Sequence, residues 1–201
     1  MIKALVFDVS GVLTEAKFSE IYVHVANKLQ VPADILTAIF KATLDEQLLG
    51  QKGISDLCQA VQAVQPHITE AAFRDTLLTS ISELSTVNTA LLELIDAWRT
   101  TYTCGILTNN TEGRALYDTS INLHAHFDFV LESYKEGKKK PDPTYFLLAA
   151  QYARCTPAEI IYIDDQQRHA DAATTLGMHG LVFTSNDALL TDINTILQQN
   201  R

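Results

Sequence analysis

The 201-residue chain has only three cysteines, Cys58, Cys104 and Cys155. An odd number without C-x-x-C spacing suggests neither a disulfide framework nor a zinc site, and a reducing cytoplasm is the expected location. No apolar stretch reaches the roughly 18 residues of a membrane span. The N-terminal apolar run is too short for a signal peptide, so a soluble, unexported protein with no membrane partner is expected. Basic residues are outnumbered: 15 Lys and Arg stand against 24 Asp and Glu, for a net charge of -9. That balance opposes nucleic-acid binding, whose affinity comes mainly from phosphate neutralisation by Lys and Arg. Phosphate can still bind where positive charge is local. Internal repeats, low-complexity tracts and separating linkers are absent too. At 47% hydrophobic, the chain can bury one good core and a small second one.

What is present is a set of short apolar runs that end in chemistry. Ile2 to Phe7 stop at Asp8-Val9-Ser10-Gly11-Val12-Leu13-Thr14, a buried strand delivering a carboxylate into a loop that Gly11 relaxes. Residues 103–107 end in Thr108-Asn109-Asn110-Thr111. Residues 127–131 lead through Glu132 and Ser133 to Gly137-Lys138-Lys139-Lys140-Pro141, and residues 160–163 run straight into Asp164-Asp165. In an open α/β sheet, ligands bind beyond the carboxyl ends of the strands at the topological switch point. These carboxylates, hydroxyl, amide and ammonium are therefore expected to converge on one crevice.

Spacing sets the organisation. The gap between the first strand and the one near residue 101 is far longer than the dozen or so residues a crossover needs. Helical patterning over 18–29, 33–49, 54–64 and 70–82 suggests an inserted all-helical cap. The expected division is a core of residues 1–16 and 86–201 and a cap of residues 17–85. Residues 88–100 read as the true crossover helix. Beyond them strands alternate with helices over 143–154, 166–176 and 187–199, with Gly177 closing the second and a last strand over 179–183. The expected fold class is α/β, a doubly wound, parallel, Rossmann-like sheet.

The four strand-end segments, in order, resemble the motifs of the haloacid dehalogenase superfamily: Asp8 to Thr14, Ile106 to Asn110, Ser133 to Pro143 and Tyr162 to Asp165. Gly137 to Pro143 is similar to that family's lysine-proline signature. Ala172-Ala173 and Leu176-Gly177-Met178 match the helix after its fourth motif. The cap's position and size resemble the helical caps of glucose-1-phosphate phosphatases and of the phosphatase domain of soluble epoxide hydrolase. The resemblance implies a phosphatase in which Asp8 attacks phosphorus and becomes an aspartyl-phosphate. It implies magnesium (Mg2+) held by Asp8, Asp165 and the Ser10 carbonyl, with Asp164 as ligand or support. Thr108 and neighbouring amides, with Asn109, Ser10 and Gly11, would bind phosphate, and Lys140 would balance its charge. A small phosphorylated metabolite is the expected partner; the sequence leaves the oligomeric state open.

Blander readings accompany each residue. Asp8 alone is a turn or cap residue, Asn110 or Thr111 caps the following helix, and Asp164-Asp165 complements a helix dipole. Lys138 and Lys139 read as surface charge. His124 and His126 lack a third ligand at recognisable spacing, and Cys104 reads as a core residue. His24, Asn27, Gln47, Gln51 and Lys52 are candidate substrate contacts, each also readable as an ordinary surface residue. The family's phosphatases carry a second Asp two positions after the nucleophile, where this chain has Ser10. Two further readings stay open: a catalytically impaired, phosphate- or protein-binding relative, and a C-halide hydrolase.

Overall fold

A computed structural model describes residues 1–199. Strand β1 (Ala4–Phe7) stops before Asp8, and the chain turns through a tight loop into β2 (Thr14–Ala16). In that loop the Gly11 N–H donates to Thr14 O at 2.7 Å and the Thr14 N–H to Val9 O at 2.9 Å. Five helices follow: α1 (Phe18–Leu29), α2 (Ala33–Ala42), α3 (Leu44–Leu48), α4 (Ile54–Gln62) and α5 (Glu70–Glu83). Then β3 (Ser85–Val87) returns antiparallel to β2, so the helical insert leaves and re-enters through one two-stranded neck.

Two expectations need correction. The single helix expected over 33–49 breaks at Thr43, where the backbone leaves the helical region at φ -108°, ψ 3°. The Thr43 hydroxyl donates to Ile39 O at 2.8 Å and accepts from Gln47 Nε2 at 2.9 Å, the back-bonding that bends helices. The neck was not foreseen, because three-residue strands are too short to show an alternating pattern. The expected edge of the insert at residue 85 consequently falls inside β3.

From α6 (Thr89–Trp98) the chain alternates through β4 (Thr103–Thr108), α7 (Glu112–Ser120), β5 (Phe129–Glu132), α8 (Ser133–Glu136) and α9 (Pro143–Tyr152). It ends with β6 (Ile160–Asp164), α10 (Gln167–Thr175), β7 (His179–Val182) and α11 (Asn186–Gln199). The long strands form one five-stranded parallel sheet in the order β5-β4-β1-β6-β7, flanked by helices, the expected α/β architecture. β1 is central, with Ala4 in register with Thr103 on one side and Ile160 on the other.

The pleat sends Leu5 and Phe7 into a layer with Leu91, Ile95, Leu189 and Ile193 of α6 and α11. Ala4 and Val6 enter the opposite layer with Tyr145, Phe146 and Ala173 of α9 and α10. Both faces are covered, which is why β1 reads as an unbroken apolar run. The insert has a third apolar cluster, including Ile21, Val25, Phe40, Leu57 and Phe73, that packs on Tyr117 of α7. Among the described residues no helix is long and apolar enough to cross a membrane.

Candidate active site

The carboxyl ends of β1, β4 and β6 are adjacent in the sheet and deliver Asp8, Thr108 and Asp164 to one side. Asp8, Asp164 and Asp165 each place a ligating oxygen within 4.8 Å of the others. The loop between α8 and α9 adds Lys140, whose buried Nζ lies 2.9 Å from Asp8 Oδ1 and 2.7 Å from Asp164 Oδ2. The Val9 N–H also donates to Asp8 Oδ1, at 2.7 Å. Both of these donors fall on Oδ1, so Oδ2 is the oxygen left for an electrophile or a cation.

Three expectations change in detail. Both polar atoms of the Asn109 side chain hold the Lys140 backbone, Nδ2 donating to Lys140 O at 3.0 Å and Oδ1 accepting the Lys140 N–H at 2.7 Å. That side chain therefore positions the lysine instead of meeting substrate. The Gly11 N–H is taken by Thr14 O, so Gly11 contributes through its missing side chain and not as a donor to substrate. Lys139, read as surface charge, reaches across to Asp45 of α3 in the insert.

Thr108 is buried at the end of β4, its carbonyl accepting from the Tyr145 hydroxyl at 2.9 Å. Asn110 is buried too, its amide shared between Asp118 and Glu132, and it is Thr111 that caps α7. Ser10 lines the cavity described below. His126 pairs with Asp96 at 2.9 Å, and neither His124 nor His126 belongs to a metal-ligand cluster among the described residues. Cys104 is buried in the core, where burial pushes its thiol up to about 12.

The electrostatics show a deficit of positive charge. Burial pushes the Asp8 carboxyl up, and the neighbouring Lys140 offsets only part of that. Asp164 also feels burial, but the His169 hydrogen bond and the Lys140 charge outweigh it and hold this carboxyl below the usual carboxylate range. Asp165, which reaches solvent, is pushed up to about 6 by partial burial and then by the charges of Asp8 and Asp164. Three carboxylates facing one lysine form an all-oxygen donor set with uncompensated negative charge, which fits a hard divalent cation such as magnesium.

A raised folded-state pKa means that the folded protein holds the Asp165 proton more tightly than the unfolded chain does. Its stabilising contribution is complete below the ordinary value of 3.8 and is lost as pH rises through about 6. Melting curves in EDTA should therefore show wild type losing stability relative to Asp165→Asn over that window, with added magnesium raising the melting temperature chiefly above it. Parallel curves for the two proteins would refute the assignment.

Gly11 makes room for this arrangement. Its φ is +84°, and a Cβ there would stand 2.4 Å from Asp165 Oδ2. Gly11→Ala should therefore displace Asp165 and weaken magnesium binding by about 10–100-fold, the range seen when support for a metal site is lost. Isothermal titration calorimetry of the variant checks this.

Two residues escaped the sequence reading. His169, on the first turn of α10, is 2% exposed, and its Nδ1 lies 3.1 Å from both Asp164 oxygens. Facing a carboxylate, that nitrogen is the donor. Arg114 of α7 is buried in an ion pair with Asp118, Nε to Oδ1 at 2.9 Å. Neither stands at a strand end, which is where the sequence argument looked for chemistry.

A cavity of about 420 Å³ runs from Asp8, Ser10 and Asn109 into the insert. Of the expected substrate contacts, Gln47 and Lys52 line it, and His24, Asn27 and Gln51 do not. Gln47 is bonded to Phe40 O and Thr43, Lys52 pairs with Glu46, and His24 pairs with Glu83.

Residues 2–177 match the haloacid dehalogenase-like hydrolase family. Bifunctional epoxide hydrolase 2 of Sus scrofa is 22% identical over 214 residues, covering 97% of this chain and 39% of its own length. The chain thus spans about two fifths of that relative. A HAD family enzyme from Bacteroides thetaiotaomicron, solved with magnesium and inorganic phosphate, has a similar structure at a TM-score of 0.76 and 19% identity, covering 92% of this chain and 96% of that one. A 2-haloacid dehalogenase from Pseudomonas syringae pv. Tomato is similar at a TM-score of 0.70 and 20% identity over 100% of both chains. At these identities the structural likeness is one of fold.

Proposed function

The chain belongs to the haloacid dehalogenase-like hydrolase family, and from that premise we propose that it is a magnesium-dependent phosphatase of a small phosphorylated metabolite, with the helical insert as a cap over the site. The observation that carries this reading is the cluster of Asp8, Asp164 and Asp165 around a single buried lysine. Asp8, Asp165 and the Ser10 carbonyl would hold the cation, with Asp164 as ligand or support. When bound, magnesium supplies charge neutralisation on the transferring phosphoryl group.

The chain's own groups do the rest. Asp8 is oriented by Val9 N–H and Lys140, so that one of its carboxylate oxygens attacks phosphorus while the other would face the cation. The ester P–O bond breaks, and the leaving oxygen departs with its electron pair. Water then attacks the phosphorus of the aspartyl-phosphate, releasing inorganic phosphate and restoring Asp8. Lys140 balances charge on nucleophile and phosphate, and the Thr108 hydroxyl and Asn109 N–H hold phosphate oxygens. Positioning and charge carry most of the catalysis in phosphoryl transfer. All three cysteines are free, which suits the reducing cytoplasm we assign to the protein.

Ser10 shapes the expected kinetics. Its hydroxyl is far too weak an acid near neutral pH to protonate a leaving oxygen. Wild type should therefore cleave aryl and acyl phosphates much faster than alkyl phosphates. Ser10→Asp should narrow that gap by accelerating poor leaving groups, by up to about 10²-fold. Rate against leaving-group pKa in both proteins is the measurement; an insensitive wild type would mean that another residue supplies the proton.

The same serine favours one second reading, a catalytically impaired relative that binds phosphate compounds or another protein. Aryl phosphate turnover with and without magnesium separates the two: saturable phosphate binding without turnover supports the second. Haloacid turnover without magnesium would overturn both. That third outcome has little support, because the family's dehalogenases place a bulky aromatic residue where Ser10 stands.

A further inference from the structure

Charge along the cavity beside Asp8 is not balanced. Among the described residues, the Lys and Arg side chains without a carboxylate partner are Lys41, Lys138, Arg154 and Arg168; every other one has an ion pair. Lys41 and Arg168 both line this cavity, one from the insert at the end of α2 and the other from the core at the start of α10. The carboxylates in its wall do not serve them. Asp8 is held by Lys140, and Glu112 accepts the Ile54 N–H at 2.8 Å and lies 3.9 Å from Arg74. The other cations of the wall are already compensated, Lys52 by Glu46 and Arg114 by Asp118. In a chain of net charge -9, uncompensated positive charge thus stands where a ligand would sit.

Arg168 is the better defined of the two. It is exposed, and its Nε donates to Gln166 Oε1 at 3.0 Å, which leaves both Nη atoms of the guanidinium fork free among the described residues. Folding stability does not account for its place. A cation in the first turn meets the positive end of the helix dipole, and Asp165, three residues earlier, makes no ion pair with it among the described residues. A planar fork with two free nitrogens matches an oxyanion bidentately. Lys41, in the last turn of α2, adds a second charge on a more flexible stem. Resting on the phosphatase reading, we infer that the substrate is a phosphate ester with a second anionic group, a carboxylate or another phosphate, which Arg168 receives with Lys41 in support. Lys140 serves the phosphoryl group that is transferred at Asp8; Arg168 and Lys41 serve the group that stays with the leaving alcohol.

The test uses phenyl phosphates whose para chain, of two or more methylenes, ends in a carboxylate, a phosphonate or, as the neutral counterpart, a primary amide. The methylenes insulate the ring and keep the leaving-group pKa constant. In wild type, kcat/KM for the best acid should exceed that for its amide by about tenfold, the lower end for a hydrogen bond to a charged group because the site is open to solvent. The advantage should shrink as salt is raised, since both cations are exposed. Arg168→Gln should bring the ratio down to about two, and Arg168→Gln combined with Lys41→Gln to near one. A larger ratio for the phosphonate than for the carboxylate assigns a substrate with two phosphates; the reverse assigns a phosphorylated acid. The ratio of two esters sharing one reaction is insensitive to a general disturbance of the site.

The matching benzylphosphonates, which cannot be hydrolysed, are titrated calorimetrically. Acid tails that tighten binding by the same ratio in a protein that turns nothing over, with the gain lost in the double variant, would uphold the role of Arg168 and overturn the phosphatase reading. Turnover at equal rates for acid and amide, or a ratio undiminished in Arg168→Gln because all esters slow alike, would overturn the role of Arg168 and leave the phosphatase reading standing.

Discussion

Asp8→Asn will remove turnover, by about 10⁴-fold or more as expected for loss of a nucleophile, while leaving the protein at least as stable as wild type. Asparagine keeps the shape and supplies a poor nucleophile. It also takes one negative charge out of a cluster that holds three carboxylates and one lysine. Asp8 is 4% exposed, and burial disfavours its ionised form, so the folded protein bears a cost that the neutral amide relieves. Lys140 keeps its 2.7 Å partner Asp164. A higher melting temperature combined with lost activity is the usual pattern when a functional group is held against folding stability. Turnover of an aryl phosphate and thermal melts of the two proteins decide it. Retained turnover would remove Asp8 from the mechanism; a large fall in melting temperature would mean that the charge holds the fold together.

Lys140→Ala should be damaging on both counts. The ammonium is the cation shared by Asp8 and Asp164, and removing one partner of a buried ionic group costs about 3–5 kcal/mol because charge is left uncompensated. Activity should fall by a factor of about 10³ or more, since the lysine also balances charge during phosphoryl transfer. Lys138→Ala should be mild, for Lys138 has no ion pair among the described residues. Lys139→Ala lies between, losing the tie to Asp45. Urea titration and aryl phosphate kinetics of the three variants form the comparison. Equal losses at all three would replace a defined site by a diffuse basic patch.

The strand ends were legible in the sequence because a strand buried on both faces is an unbroken apolar run, and its first polar residue marks the exit. That rule finds Asp8, Thr108 and Asp164 without reference to tertiary structure. Lys140 was visible only through the motif around it, since in isolation it is one of three lysines in a row. The second task of Asn109, holding the Lys140 backbone with its side chain, was not legible, because which partner a side-chain amide meets depends on a loop about thirty residues away. Arg114 and His169 were invisible for a related reason: each lies within a helix, and what makes it notable is a partner on another element or an orphaned nitrogen. Helix 33–49 was overextended because hydrophobic spacing continues through Thr43 while its hydroxyl redirects the backbone.

The neck formed by β2 and β3 bears on how the chain folds. Central strand β1 finds its partners only at Thr103 and Ile160, so its pairing is non-local and its loop-closure entropy large. The insert has an apolar cluster built largely from its own helices, contacts closer in sequence than those β1 makes with β4 and β6. Once Ala16 meets Ser85, most of the chain separating β1 from β4 is already tied off, and the remaining search is short. During synthesis β1 waits unpaired until β4 emerges, and collapse of the helices behind it shortens the interval in which that apolar strand can meet another chain instead.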